Sequence, residues 1–268
     1  MNNLTTLESK SIFIIREAYA QFKNIGVLWS MGKDSTVLLW IIKKVFLGKI
    51  PFPVIHLDTG FKFPEMYKIR DKLVKKWKIN LAVARNENAI KQKVSPIKND
   101  RFFCCTKLKT ETLRDYVKKH KFDALLLAIR RDEHNIRAKE RYFSPRDKNF
   151  KWNYKNQSLE FWNFYKVSSM KGVHHHRVHP LLHWTELDVW QYIKQERIPV
   201  NPLYFSKKGQ RFRSLGCMPC TVPIVSNASN IDKIIDELKG TSSSERGGRA
   251  QDKEKEYMMQ KLRSLGYM

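Results

Sequence analysis

Residues 25–29, Ile-Gly-Val-Leu-Trp, form an apolar run that passes through Ser30-Met31-Gly32-Lys33 into a helix-forming stretch over 34–45. A strand-length apolar run followed so closely by a helix predicts a buried strand whose chain crosses back over a parallel sheet. The pattern recurs. Residues 53–57 read as a second short strand ending in Asp58-Thr59-Gly60. A helix over 64–77 precedes a third strand over 80–84, and a helix over 106–119 precedes the most apolar strand, 124–129. With a further helix over 9–23, this alternation predicts an α/β fold with a doubly wound, mostly parallel sheet. In such a fold ligands lie beyond the carboxyl ends of the strands.

Beyond Arg130 the periodicity fades, and charged and aromatic residues dominate to about residue 170, which reads as a functional loop region. Residues 178–182 are the candidate last strand, and Thr185 is the N-cap of a helix running to 194. From residue 206 the chain turns Gly- and Ser-rich between helices near 229–239 and 252–264. The expected organisation is a nucleotide-binding α/β domain over 1–205 and a C-terminal helical arm over 206–268.

The turn after the first strand carries the chemistry. Ser30, Gly32, Lys33, Asp34 and Ser35 place backbone N–H groups, hydroxyls and an ammonium at a helix N-terminus, where unpaired amides and the helix dipole favour a polyanion. A Walker A loop needs a glycine five residues before Gly32 and a hydroxyl directly after the lysine. Here Gly26 falls one residue too early and Asp34 occupies the hydroxyl position, so the stretch does not match a γ-phosphate-cleaving loop despite its Gly32-Lys33 pair. What remains, Ser-x-Gly-Lys-Asp-Ser, resembles the PP-loop signature of ATP pyrophosphatases. That resemblance implies ATP, with Mg²⁺, as the ligand and cleavage between its α- and β-phosphates. Most members carry Gly where this chain has Met31, and a bulkier apolar residue there resembles the small, catalytic subunit of sulfate adenylyltransferase.

At 268 residues the chain can bury an ample core, and its apolar stretches are too short to span a membrane. The polar N-terminus lacks a signal-peptide pattern, so a cytoplasmic protein is expected. The formal charge of +25 is scattered over sites such as Lys75-Lys76, Lys118 to Lys121 and Lys207-Lys208. Such a field attracts polyanions, and a nucleic-acid surface and plain solvated lysines are both open readings.

Arg130, Arg131 and Asp132 follow the 124–129 strand, with Glu133, Arg137 and Arg141 close behind. Guanidinium forks and Mg²⁺ stabilise charge developing at an α-phosphate, which makes Lys33, Arg130 and Arg131 the candidate catalytic cations. Asp132 or Glu133 would orient them or hold a metal, and Asp58 at the second strand's end joins the candidate binding set. The runs Arg-Arg-Asp-Glu at 130–133, Arg-Ala-Lys-Glu-Arg at 137–141, the helix from Trp184 to Ile193, Arg-Phe-Arg-Ser-Leu-Gly-Cys at 211–217 and Ser-Glu-Arg-Gly-Gly-Arg at 244–249 resemble the family of sulfate adenylyltransferase small subunits over nearly the whole chain. The resemblance implies an adenine nucleotide α-hydrolase-like fold related to the adenylylsulfate reductases. It implies attack of sulfate on ATP, a GTPase large subunit as partner, and a C-terminal arm whose Arg246 and Arg249 bind the nucleotide.

All four cysteines fall in two pairs, Cys104-Cys105 and Cys217-x-x-Cys220. Two such pairs supply four thiolates for zinc or an iron–sulfur cluster, or remain unligated. The set is similar to that holding a four-iron four-sulfur cluster in adenylylsulfate reductases, although no fifth cysteine remains to act as the nucleophile of a reductase. The cysteines depart from the sulfate adenylyltransferase pattern. They keep open a second reading, in which the ATP pyrophosphatase activates a nucleic-acid phosphate or base for sulfur insertion, as in DNA phosphorothioation, and a third, non-catalytic one, in which a nucleotide-dependent scaffold binds a cysteine desulfurase as partner. His174-His175-His176 read as incidental residues of a loop rather than as a metal site.

Overall fold

A computed structural model of the chain describes residues 3–155, 157, 159, 160, 162, 165, 172–240, 245, 261, 262, 264 and 265. The order is α1 (Asn3–Gln21), β1 (Ile25–Leu28), α2 (Lys33–Val45), β2 (Val54–Leu57), α3 (Pro64–Trp77) and β3 (Leu81–Ala84). There follow α4 (Glu87–Lys91), α5 (Arg101–Cys105), a π-helical segment (Thr106–Glu111), α6 (Thr112–His120), β4 (Ala124–Leu126), β5 (Phe143–Asp147) and β6 (Val173–Val178). The described chain closes with α7 (Glu186–Glu196), the two-residue strands β7 (Gln210–Arg211) and β8 (Ile224–Val225), and α8 (Ile231–Lys239).

Strands β1, β2 and β4 are buried along their whole length, which is why they read as unbroken apolar runs rather than alternating ones. The six-stranded sheet has the order β3-β2-β1-β4-β6-β5; every pairing is parallel except that of the edge strand β5, which runs antiparallel to β6. From β1 the chain winds toward β3, and from β4 it winds the other way. The crevice between the carboxyl ends of β1 and β4 is therefore the switch point at which doubly wound sheets bind ligands. Gly26 is required where β1 crosses its neighbours: an added Cβ would lie 2.8 Å from Ile55 Cδ1 and 3.1 Å from the Phe122 ring. The core continues past residue 206 through Leu215, Ala228, Ile234 and Ile235. Among the described residues no helix is long and apolar enough to cross a membrane.

The structure corrects several expectations. The first helix begins at Asn3. The helix expected over 106–119 is a continuous α5–π–α6 rod starting at Arg101. Strand β5 lies inside the region read as loop. The last parallel strand is β6, not 178–182, so the three histidines stand on a strand and only the beginning of the expected run is extended. These two strands carry buried charge: Arg146 of β5 donates to Glu140 at 3.1 Å, and both residues, like Arg177 and His175 of β6, are buried. Paired polar groups thus do the work of an apolar stripe there. Of the arm, the helix expected over 252–264 falls largely outside the described residues.

Candidate active site

Gly32 caps α2 with extended backbone and no side-chain cap, leaving the helix N-terminus facing the β1–β4 crevice. A Cβ at Gly32 would stand 3.3 Å from Ser30 Oγ and 3.4 Å from the Tyr204 hydroxyl, so glycine suits this tight turn. Ser30 and Ser35 hydroxyls lie 3.1 Å apart across it, and Trp29 Nε1 donates to Thr36 Oγ1 at 3.2 Å, tying the loop to the helix. Met31 takes the left-handed conformation, φ 62°. This is the physical reason glycine is the common choice there, and the buried Met31 side chain offsets the strain.

Lys33 and Arg130 meet at the centre. Lys33 Nζ contacts Asp34 at 3.3 Å, Glu186 at 3.9 Å and the Glu245 carboxylate. Arg130, leaving β4, donates through Nε to Asp34 at 2.7 Å, through Nη1 to both oxygens of Asp132 at 2.7 and 2.8 Å, and through Nη2 to Glu245. Both cations are essentially fully buried. Burial alone would lower the pKa of the Lys33 ammonium, but Asp34, Glu245 and Glu186 outweigh it and raise it; Arg130 is raised likewise, by Glu245, Asp34 and Asp132. Burial pushes Glu245 up, yet Lys33 and Arg130 hold it well below the usual carboxylate range. These three groups are thus held in their charged forms, whereas burial pushes Asp132 and Glu186 up, Glu186 further so by the neighbouring Glu245.

Further contacts orient these groups. Asp132 also accepts from the Glu186 N–H, the first of α7, at 2.8 Å. Arg213 holds Glu186 Oε2 through Nε and Nη2 at 2.9 and 2.7 Å. Arg137 pairs with Glu133, which also accepts from the Arg130 N–H at 3.2 Å. The Lys33 N–H donates to the Tyr204 hydroxyl at 2.9 Å. Ser30, Gly32, Lys33, Asp34, Ser35, Glu133, Arg137 and Glu245 line one cavity of about 150 Å³, together with apolar residues from β1, β2 and the end of β4. Asp34, Glu133 and Glu245 each offer a carboxylate oxygen within 4.8 Å of the others, a hard-oxygen set that suits Mg²⁺.

Two expected members stand elsewhere. Arg131 lies over the Tyr142 ring at 5.4 Å and donates to the Glu140 carbonyl at 3.4 Å, because successive side chains leaving the strand diverge. Asp58 accepts from the Tyr67 hydroxyl at 2.7 Å and the Gly60 N–H at 2.9 Å and pairs with Arg85, a turn-closing role. Arg246 and Arg249 lie outside the described residues. Sequence reasoning passed over Glu186, Arg213, Tyr204 and Glu245 as site residues. Only the motif runs containing the first two and Glu245 pointed that way.

The four cysteines converge. Cys104, Cys105, Cys217 and Cys220 are buried and unbridged, and with Thr59, Arg101 and Lys109 they line a pocket whose wall is shared, through Lys109, with the first cavity. Burial and then the neighbouring thiols push Cys104 up to about 12. Thr59 Oγ1 and Cys217 Sγ are 3.3 Å apart, which joins the thiol loop to the end of β2.

Comparison with known proteins agrees with this architecture. A family model described as the phosphoadenosine phosphosulfate reductase domain matches residues 24–223. A protein named sulfate adenylyltransferase subunit 2 from Psychromonas ingrahamii is 41% identical, the match covering 100% of this chain and 98% of that one. A protein of the same name from Bacteroides fragilis is 40% identical at the same coverage. Among solved structures, the phosphoadenylyl-sulfate reductase of Candida auris superposes with a TM-score of 0.56 at 19% identity, covering 83% of this chain and 97% of that chain. The FMN adenylyltransferase of Candida glabrata, bound to FMN and an ATP analogue, gives 0.57 at 17% identity, covering 82% and 65%. These two likenesses speak for the fold. The chain thus belongs to the phosphoadenosine phosphosulfate reductase domain family, alongside the proteins named sulfate adenylyltransferase subunit 2.

Proposed function

We propose that the protein is the catalytic subunit of a sulfate adenylyltransferase. A sulfate oxygen attacks the α-phosphorus of ATP, the bond from that phosphorus to the bridging oxygen breaks, and pyrophosphate leaves with the electron pair. The observation that carries this reading is the meeting of buried Lys33 and Arg130 at the N-terminus of α2, in a chain with full-length relatives of that name. Negative charge grows on the phosphoryl oxygens and the departing pyrophosphate. A buried ammonium and a guanidinium fork, held by second contacts, stabilise it without reorganising. Asp132 and Glu186 position these cations; Arg137 adds a third at the cavity wall. Mg²⁺ accompanying ATP would find oxygen donors in Asp34 and Glu133 and would neutralise phosphate charge. The name of the relatives implies a second subunit, and a GTPase large subunit is the proposed partner.

The thiol pocket has the donor chemistry of a four-iron four-sulfur site: four buried cysteines, with Lys109 and Arg101 in the wall to offset cluster charge. Held there, a cluster would supply a fixed electrostatic centre beside the nucleotide cavity. Anaerobically purified protein should contain iron and absorb near 400 nm, and Cys217→Ser should lose both; iron-free wild-type protein rejects the cluster. The charge of +25 together with this pocket favours one second reading, a nucleic-acid acceptor in place of sulfate. Pyrophosphate release from ATP measured with sulfate, DNA and RNA as separate acceptors separates the two: stimulation by sulfate alone is expected, and stimulation by nucleic acid alone overturns the proposal.

A further inference from the structure

Among the described residues, two carboxylates of the site, Asp34 and Glu245, have side-chain contacts that go only to the two central cations. Asp34 is fixed by its place in the sequence next to Lys33, and the other three carboxylates have a further partner. Asp34 belongs to the first turn of α2, Asp132 accepts from the start of α7, Glu133 accepts from the Arg130 N–H, and Glu186 is held by Arg213. Glu245 reaches Lys33 and Arg130 across 212 and 115 residues of sequence and is itself buried. The carboxylate thus occupies the place between an ammonium and a guanidinium that a phosphate of the ligand would take. With Glu245 in its wall the cavity is about 150 Å³, below the roughly 300–1,000 Å³ of small-molecule sites.

We propose that Glu245 is an internal placeholder for a phosphate: it holds Lys33 and Arg130 in their binding arrangement while the site is empty and is displaced by the triphosphate of ATP. This rests on the reading of the cavity as an ATP site. The exchange replaces one anion by another on the same two cations, so the buried positive charges are never left uncompensated. Its cost is competition. If Glu245 is seated in nine of ten molecules, the apparent affinity for the nucleotide is cut roughly tenfold.

The test is binding of α,β-methylene-ATP and, separately, of inorganic tripolyphosphate, by calorimetry, to the full chain and to Glu245→Gln and Glu245→Asp. The expected result is about tenfold tighter binding of both probes by Glu245→Gln, with Glu245→Asp intermediate. Melting measured alongside separates this from a merely structural role: Glu245→Gln should melt lower than wild type when empty and gain more from the ligand. Equal or weaker binding of tripolyphosphate by Glu245→Gln overturns the proposal and makes the carboxylate a ligand-side or metal-side group. Tighter tripolyphosphate binding with no binding of α,β-methylene-ATP by any form leaves the placeholder standing and rejects the nucleotide reading instead.

Discussion

Replacing Lys33 by Met keeps most of the side chain's volume and removes its charge, leaving Glu245 with Arg130 alone and Glu186 with Arg213 alone. At the 3.3 and 3.9 Å separations of Lys33 Nζ from Asp34 and Glu186, each pair has a gross attraction of about 4–5 kcal/mol at an effective dielectric constant near 20. Most of this is offset by the cost of burying the charges. Removing one partner of such a web typically costs about 3–5 kcal/mol, because the remaining carboxylates stay buried. Urea unfolding of the ligand-free protein should therefore show Lys33→Met destabilised by that amount. The double variant Lys33→Met/Glu245→Gln removes both ends of one pair, so its loss should fall short of the sum of the single losses by about 1.5 kcal/mol or more. Catalysis behaves differently. Pyrophosphate release should fall by about 10²–10³ in Lys33→Met, and Glu245→Gln should not restore it, because nothing replaces the cation at the developing charge. Additive stability losses would refute the pairing argument, and undiminished pyrophosphate release would refute the assignment of Lys33.

Tyr204→Phe deletes the acceptor of the buried Lys33 N–H and should cost about 1–3 kcal/mol in urea unfolding; an unchanged midpoint counts against that hydrogen bond. Met31→Gly relieves about 1–2 kcal/mol of left-handed strain but gives up about 1.5–3 kcal/mol of apolar burial, so a net loss near 1 kcal/mol is expected, and a stabilised variant shows that strain dominates. His176 and His183 are lowered to about 4, by burial first and then by Arg146 and Lys10 respectively. The folded state thus prefers them neutral. Their contribution is complete above about pH 6.5 and is lost as pH falls toward 4, by up to roughly 3 kcal/mol each. Unfolding midpoints between pH 7.5 and 4.5 should drop accordingly, and His176→Gln should flatten the profile; a flat wild-type profile rejects the effect.

The β1–loop–α2 unit was legible because its strand is buried on both faces and its loop chemistry is local in sequence. The two cysteine pairs could be joined for a similar reason: thiol spacing is conspicuous in composition. Strands β5 and β6 were not legible. Sequences such as Val-His-His-His-Arg-Val carry no apolar alternation, and their burial depends on partners like Glu140 for Arg146 that no local pattern discloses. Asp58 sits at a strand end, as ligand-binding carboxylates do, yet Tyr67 and Gly60 claim it. Glu245 and Tyr204 enter the site through contacts that span 212 and 171 residues, beyond any sequence window.

The antiparallel strand β5 has a consequence for how copies of this protein meet. Its residues 143, 145 and 147 present their amide positions away from β6, and each is closed in a different way. The Phe143 N–H donates to the Glu160 carboxylate at 2.9 Å, Pro145 has no hydrogen to donate, and the Asp147 N–H donates to the Lys151 carbonyl at 3.1 Å. A strand from another molecule laid along this border would find no amide donor to accept from. The opposite border is β3, only four residues long. Between them the two borders give strand-by-strand pairing with another molecule little to build on, even though the interior strands β1, β2 and β4 are largely apolar.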